Sequence, residues 1–182
     1  MNAKSLLASS GFVCSIFLQG AFVAPAHATD AINSVPVQQV ARSIVINNSC
    51  QEIWKTISDF GGIARWYSGF SKSRHMSGPV NQVGAVRELT RASNGKTFEE
   101  KMILFDRPGF MMAYSHVKAG PVRETINQVR LENLNSRQQC LATWGSTFRL
   151  KPEQENDAEK IKGFFVKAFN NVLADLKTTS EQ

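Results

Sequence analysis

Six strand-like runs follow one another between residues 70 and 150, separated only by turn-forming residues. Phe70–Met76 stops at Ser77-Gly78-Pro79, and Ala85–Ala92 stops at Ser93-Asn94-Gly95-Lys96. Thr97–Phe105 stops at Asp106-Arg107-Pro108-Gly109, and Phe110–Val117 stops at Ala119-Gly120-Pro121. Val122–Leu134 and Gln139–Leu150 complete the series, parted at Asn135-Ser136. Connections this short cannot carry the crossover that parallel strands need, so the runs must pair as an antiparallel meander, not a βαβ fold. Asn94-Gly95 between two such runs is the strongest short-range hairpin signal.

A seventh strand is expected ahead of the six, over Val40–Ile46, ended by Asn47-Asn48. Ser49-x-x-Glu52 then has the capping-box pattern, with Ile53, Trp54 and Ile57 following at helical spacing. This helix of about ten residues is expected to close on Gly61-Gly62, with Ile63–Tyr67 as a further helical turn. Behind the meander, Ile161, Phe164, Phe165, Ala168, Phe169, Val172, Leu173 and Leu176 form one apolar stripe at i, i+3, i+4, i+7, i+8, i+11, i+12 and i+15. Asn156 or Asp157 is placed to cap it, and about 20 residues make ~30 Å of helix. The order is therefore β-α-α-β-β-β-β-β-β-α, an α+β fold in which a seven-stranded curved antiparallel sheet wraps a long C-terminal helix. Three phenylalanines on that stripe exceed what a tight flat contact needs. A curved sheet under one helix leaves space, and small-molecule pockets are concave and mostly apolar.

The first 28 residues read differently. Lys4 is their one charged residue, an apolar run extends from Leu6 to about Ala24, and Pro25-Ala26-His27-Ala28 presents Ala-x-Ala. This is the pattern of a secretory signal peptide cleaved after Ala28. Gly11, Gly20 and several serines dilute the run relative to a membrane anchor, and Cys14 lacks the small preceding residue of a lipid-attachment site. The expected location is periplasmic or secreted, with residues 29–38 a flexible lead-in, 39–178 one domain and 179–182 a tail. Cleavage removes one cation and no acid, leaving 154 residues and a formal charge of +5. The basic residues are scattered, so no nucleic-acid partner is expected. No later segment approaches the ~18 apolar residues of a membrane span, so no stable membrane insertion is expected after cleavage. Cys50 and Cys140 remain, and an oxidising compartment leaves both a disulfide and two buried thiols open.

Several short pieces then stand in a familiar order: Ser43-Ile44-x-Ile46, Glu52-Ile53-Trp54, Asp59-Phe60 and Trp66-Tyr67. Gly84-Ala85-Val86-Arg87, Glu100 with Asp106, Pro121-Val122, Trp144 and Leu176-Lys177 follow. Together they resemble the START/Bet v 1-like (SRPBCC) helix-grip superfamily, in particular its bacterial polyketide cyclase/dehydrase-type branch, over about residues 38–178. The resemblance implies a ligand cavity between sheet and helix. If Arg87 and Glu100 face inward, as in ligand-binding relatives, strand alternation also turns inward Leu89, Arg91, Phe98, Met102, Leu104, Tyr114, His116, Thr125 and Asn127. Ile161, Phe165 and Phe169 come from the helix, and Tyr67 and Phe70 sit near the mouth. The first and last strands pair antiparallel in this fold, which makes a Cys50–Cys140 bridge geometrically reasonable.

The resemblance does not fix a function. Tyr67 stands where plant abscisic-acid receptors carry a carboxylate-binding lysine, and the Ser93–Thr97 turn lacks their gate proline, so hormone sensing is not carried over. Arg87 and Glu100 need each other if buried, either as a ligand anchor or as an ion pair that only shapes the cavity. Glu100 with His116, and Tyr114 beside them, are the weak candidates for acid–base catalysis of a cyclisation or dehydration. Met76, Met102, Met111 and Met112 are adaptable apolar residues suited to core or cavity. His75 and His116 have no companion Cys/His spacing, so no metal is expected, and no cofactor. The leading expectation is an exported protein binding a small hydrophobic or amphipathic molecule. The alternatives are a cyclase/dehydratase-like lyase or isomerase, and a periplasmic accessory protein whose partner is a redox enzyme system, similar to those that assist methanol oxidation.

Overall fold

The computed structural model describes residues 35–117 and 120–182. The expected signal peptide and most of the lead-in lie outside the described residues. Strand β1 (Val37–Ile46) begins three residues ahead of Val40, so Val37 and Gln38 are paired sheet residues. Helix α1 (Cys50–Ile57) and a 3-10 helix (Phe60–Arg65) follow. The six-strand meander is β2 (Phe70–Ser77), β3 (Val86–Arg91), β4 (Thr97–Asp106), β5 (Met111–His116), β6 (Val122–Leu134) and β7 (Gln139–Leu150). Helix α2 (Ala158–Ser180) closes the chain. One sheet carries all seven strands in the order β1-β7-β6-β5-β4-β3-β2, every pair antiparallel.

The ends of α1 correct two expectations. Ser49 Oγ accepts from Glu52 N–H, as a capping box requires. The Glu52 carboxylate, however, pairs with Lys55, and Ser49 N–H donates to Asn48 Oδ1 instead. The helix stops at Ser58, whose N–H reaches Trp54 O, and Gly61-Gly62 lie within the 3-10 helix rather than capping α1. That tighter turn buries Phe60 and Ile63 under the sheet. The β3–β4 hairpin forms as expected: Gly95 takes φ +68°, open to a residue without Cβ, and Asn94 Oδ1 accepts from Lys96 N–H.

Three strand pairs contain register shifts, at Phe70/Lys72 and His75/Ser77, at Met102/Leu104, and at Arg123/Ile126. Each extra residue bends its strand and increases local twist, which gives the sheet the curvature that holds α2 away from its far wall. The shift in β4 reverses the facing of Leu104. It is an exposed side chain, while Phe105 turns inward to within 5.5 Å of the Trp54 ring, centroid to centroid.

Helix α2 rests chiefly on β1 and β7. Ile161, Phe165, Phe169, Val172, Leu173 and Leu176 are buried, but Phe164 of the expected stripe is half exposed. The Phe165 ring stacks on Phe148 of β7 at 4.6 Å. Polar contacts fix the far end: Lys177 Nζ donates to Val45 O, Asn48 Nδ2 to Ser180 O, and Asn47 N–H to Glu181 Oε1. Asp157 occupies the N-cap without a side-chain capping bond. Cys50 and Cys140 form a disulfide, which joins the start of α1 to the start of β7 beside Ile46 of β1. No helix among the described residues is long and apolar enough to cross a membrane.

Candidate functional site

A cavity of about 860 Å³ lies between the concave face of the sheet and α2. Its walls follow from register. Arg87 of β3 stands opposite Glu100 of β4, and Glu100 stands opposite His116 of β5. Side chains directly opposed across antiparallel strands share a face, so the three form one row. A second row runs Met102–Tyr114–Asn127–Ser146 across β4, β5, β6 and β7.

The first row is charged and closed on itself. Arg87 Nε and Nη2 donate to Glu100 Oε2 at 2.8 and 2.6 Å, and Nη1 donates to Phe60 O at 2.6 Å. The guanidinium also lies over the Phe60 ring at 4.0 Å and the Tyr114 ring at 4.9 Å. Both side chains are almost fully buried. Phe60 is held for this role by its N–H, which donates to Asn81 Oδ1. The other carboxylate oxygen, Glu100 Oε1, is 3.4 Å from His116 Nε2. Burial alone would raise the Glu100 carboxyl, but the Arg87 charge and the His116 contact outweigh it and hold it below the ordinary range. Burial, then the Glu100 charge, push the Tyr114 phenol far up, so it stays protonated. Its oxygen accepts from Trp144 Nε1 at 2.9 Å. Burial, then Asp175, raise the Tyr67 phenol at the mouth.

Arg87, Phe98, Glu100, Tyr114, His116 and Asn127 line the cavity from the sheet. Ile161, Phe165 and Phe169 line it from α2, and Tyr67 and Phe70 from the segment entering β2. Leu89, Met102 and Thr125 do not line it. They are buried beneath its wall: Leu89 and Met102 are fully enclosed core residues, and Thr125 sits next to the irregularity in β6. Leu104 faces away, as above. Sequence reasoning left out Trp144, whose place on the inward-facing alternation of β7 was available as a signal. It also left out the row Lys160, Phe164, Lys167 and Asn171, which lines the cavity along one edge of α2 at i, i+4, i+7 and i+11. The Tyr67 ring leans over Gly69 so closely that a Cβ there would overlap it. Among the described residues no cluster of three or more His, Cys, Asp or Glu side chains is placed to hold a metal ion.

A curved antiparallel sheet gripping one long helix over an apolar cavity defines a START/Bet v 1-like protein. The chain belongs to the polyketide cyclase / dehydrase and lipid transport family, whose profile matches residues 37–181. The fold is shared with XoxI of Bacillus cereus (TM-score 0.69, 22% identity), covering 78% of this chain and 94% of that one. It is shared also with the Zhui aromatase/cyclase of Streptomyces sp. R1128 (TM-score 0.63, 16% identity, 78% and 94% covered). Ginseng major latex-like protein 151 from Panax ginseng is a third (TM-score 0.67, 11% identity, 80% and 99% covered). No curated protein matches the chain.

Proposed function

We propose that this is an exported binding protein that carries a small hydrophobic or amphipathic molecule between its sheet and α2. The observation that carries the reading is the cavity itself: about 860 Å³, walled by Phe98, Phe165 and Phe169, with a few converging polar groups. That volume lies within the ~300–1,000 Å³ of small-molecule sites. Family membership is consistent, since lipid transport is part of the family's description. Export draws support from the Ala-x-Ala ending at Ala28 and from the Cys50–Cys140 disulfide, which an oxidising compartment sustains. Arg87 contributes shape and not a free charge, because Glu100 and Phe60 O occupy its donors.

Native mass spectrometry of freshly purified protein, with an apolar fluorescent probe as a second arm, tests the reading. A co-purifying molecule, or probe uptake by the emptied protein, is expected. Ala168 lines the cavity from α2, so Ala168→Trp should block uptake while the thermal transition is kept. Absence of both a co-purifying molecule and probe binding in the wild type would end the carrier reading.

One observation favours a second reading. Glu100 Oε1 and His116 Nε2 lie 3.4 Å apart on the cavity wall, with the Tyr114 hydroxyl in the adjoining row. A carboxylate held ionised beside an imidazole can pass a proton to and from a bound carbonyl compound, as a cyclase or dehydratase requires. A ligand recovered from the cavity and returned to the protein would then be converted by wild type and not by Glu100→Gln. Equal conversion, or none by either, removes the enzyme reading.

A further inference from the structure

Of the charged side chains lining the cavity, Arg87 and Glu100 cancel inside it, whereas Arg91, Lys160 and Lys167 stand at its rim. Among the described residues neither Arg91 nor Lys167 has an acidic partner. Lys160 has only Asp157, 3.7 Å away in an exposed pair. Aromatic rings position Arg91: its guanidinium lies 5.2 Å from the Phe98 ring of β4 and 4.9 Å from the Phe164 ring of α2. Arg91 therefore spans from the sheet side of the mouth to the helix side. Lys160 and Lys167 flank Phe164 one turn to either side on the same edge of α2. Cations gathered at the opening of an apolar cavity raise the local concentration of anions there.

The inner end is different. Asn127 is 3% exposed and lines the cavity, yet its carboxamide makes no hydrogen bond among the described residues. Ser146 Oγ, directly opposite on β7, is buried behind it without a partner. Buried polar groups are ordinarily paired, so the Asn127 carboxamide can take a ligand hydroxyl or carbonyl, or water. This wall offers no free cation, because Arg87 is spent on Glu100 and Phe60 O.

We propose that the ligand is an anionic amphiphile bound apolar end first, its carboxylate, phosphate or sulfate held at the mouth by Arg91, Lys160 and Lys167. This rests on the carrier reading and adds to it the ligand's charge and direction.

Dansylaminoundecanoic acid and its methyl ester share a fluorophore and a chain and differ by one charge, so fluorescence titration of the pair isolates the headgroup. In low salt the acid is expected to bind about tenfold more tightly. The advantage should shrink in 1 M salt, where the screening length falls from ~10 Å at 0.1 M to ~3 Å. K160Q/K167Q should reduce the preference, and R91Q/K160Q/K167Q should bind acid and ester alike. Equal affinities in the wild type overturn the proposal while leaving the carrier reading intact. A preference that survives the triple variant also overturns it. If neither probe binds, this inference falls, and if nothing co-purifies with the protein either, the carrier reading falls with it. If the wild type instead pellets with phosphatidylglycerol/phosphatidylcholine vesicles and binds acid and ester equally, the cations serve a membrane surface and the proposal is wrong.

Discussion

At the level of single residues, the site is organised by one buried charge pair. Arg87 and Glu100 were legible as a pair only through the family resemblance, which turns both inward, and because a buried charge demands a counterpart. Their saturation was not legible, since it depends on Phe60 O arriving from the 3-10 helix. Removing one partner should therefore be costly: Glu100→Gln is expected to lose on the order of 3 kcal/mol in urea unfolding, whereas Arg87→Met/Glu100→Leu should recover most of it. A loss under about 1 kcal/mol for the single variant would show that the pair is not held in a dry site. The pH dependence has a definite sign. The folded-state Glu100 carboxyl is held below its ordinary value of 4.5. Its stabilisation is thus complete above that value and lost as pH falls through the lower, folded one. Urea midpoints measured between neutral and acid pH should fall on the acid side, and Glu100→Gln should flatten that fall.

At the level of elements, turn chemistry carried most of the reading. The bounds of β6 and β7 agree with those expected from Asn135-Ser136 and Pro152, because residues that favour tight turns mark where pairing stops. The bulge in β4 left no such mark. Met102, Ile103, Leu104 and Phe105 are consecutive apolar residues, so no alternation shows where an extra residue shifts the facing. Simple parity puts Leu104 inside and Phe105 outside, and the structure has the reverse. The reversal separates two substitutions. Leu104→Lys should leave the urea midpoint within about 0.5 kcal/mol of wild type, as an exposed site does. Phe105→Ala should cost on the order of 2 kcal/mol, because it strips the Trp54 contact. The opposite ranking would restore an unbulged β4 and turn Leu104 back toward the interior. Phe164 follows a similar logic. Helical spacing put it on the apolar stripe, but the space between sheet and α2 leaves it at the cavity mouth, where spacing alone cannot distinguish a wall from a core.

For the whole molecule, the disulfide locks the start of α1 onto β7 where β7 pairs with the end of β1. Cys50 and Cys140 are 90 residues apart, and the loop they close contains β2 through β6, which is nearly all of the cavity's sheet wall. A cavity of this size gives up packing that a filled core would supply, so the constraint on the unfolded chain matters more here than in a solid domain. In the chain-entropy account a loop of that length contributes ~4–5 kcal/mol. With the ~1–3 kcal/mol/M urea slopes of small domains, Cys50→Ala/Cys140→Ala should lower the midpoint by roughly 2 M. Both sulfurs are fully enclosed, so reductant should act on the native protein only through opening and should act quickly in denaturant. A midpoint shift under about 0.3 M would mean that the unfolded chain retains enough structure to make the bridge nearly redundant. The same bond ties stability to location. Protein taken from an exported fraction should show no free thiols under denaturing alkylation. Protein held in the cytoplasm by deleting residues 1–28 should show two, and should unfold at the lower midpoint of the double-alanine variant. Free thiols in the exported fraction would remove the disulfide's support for export and leave the Ala28 pattern to carry that reading alone.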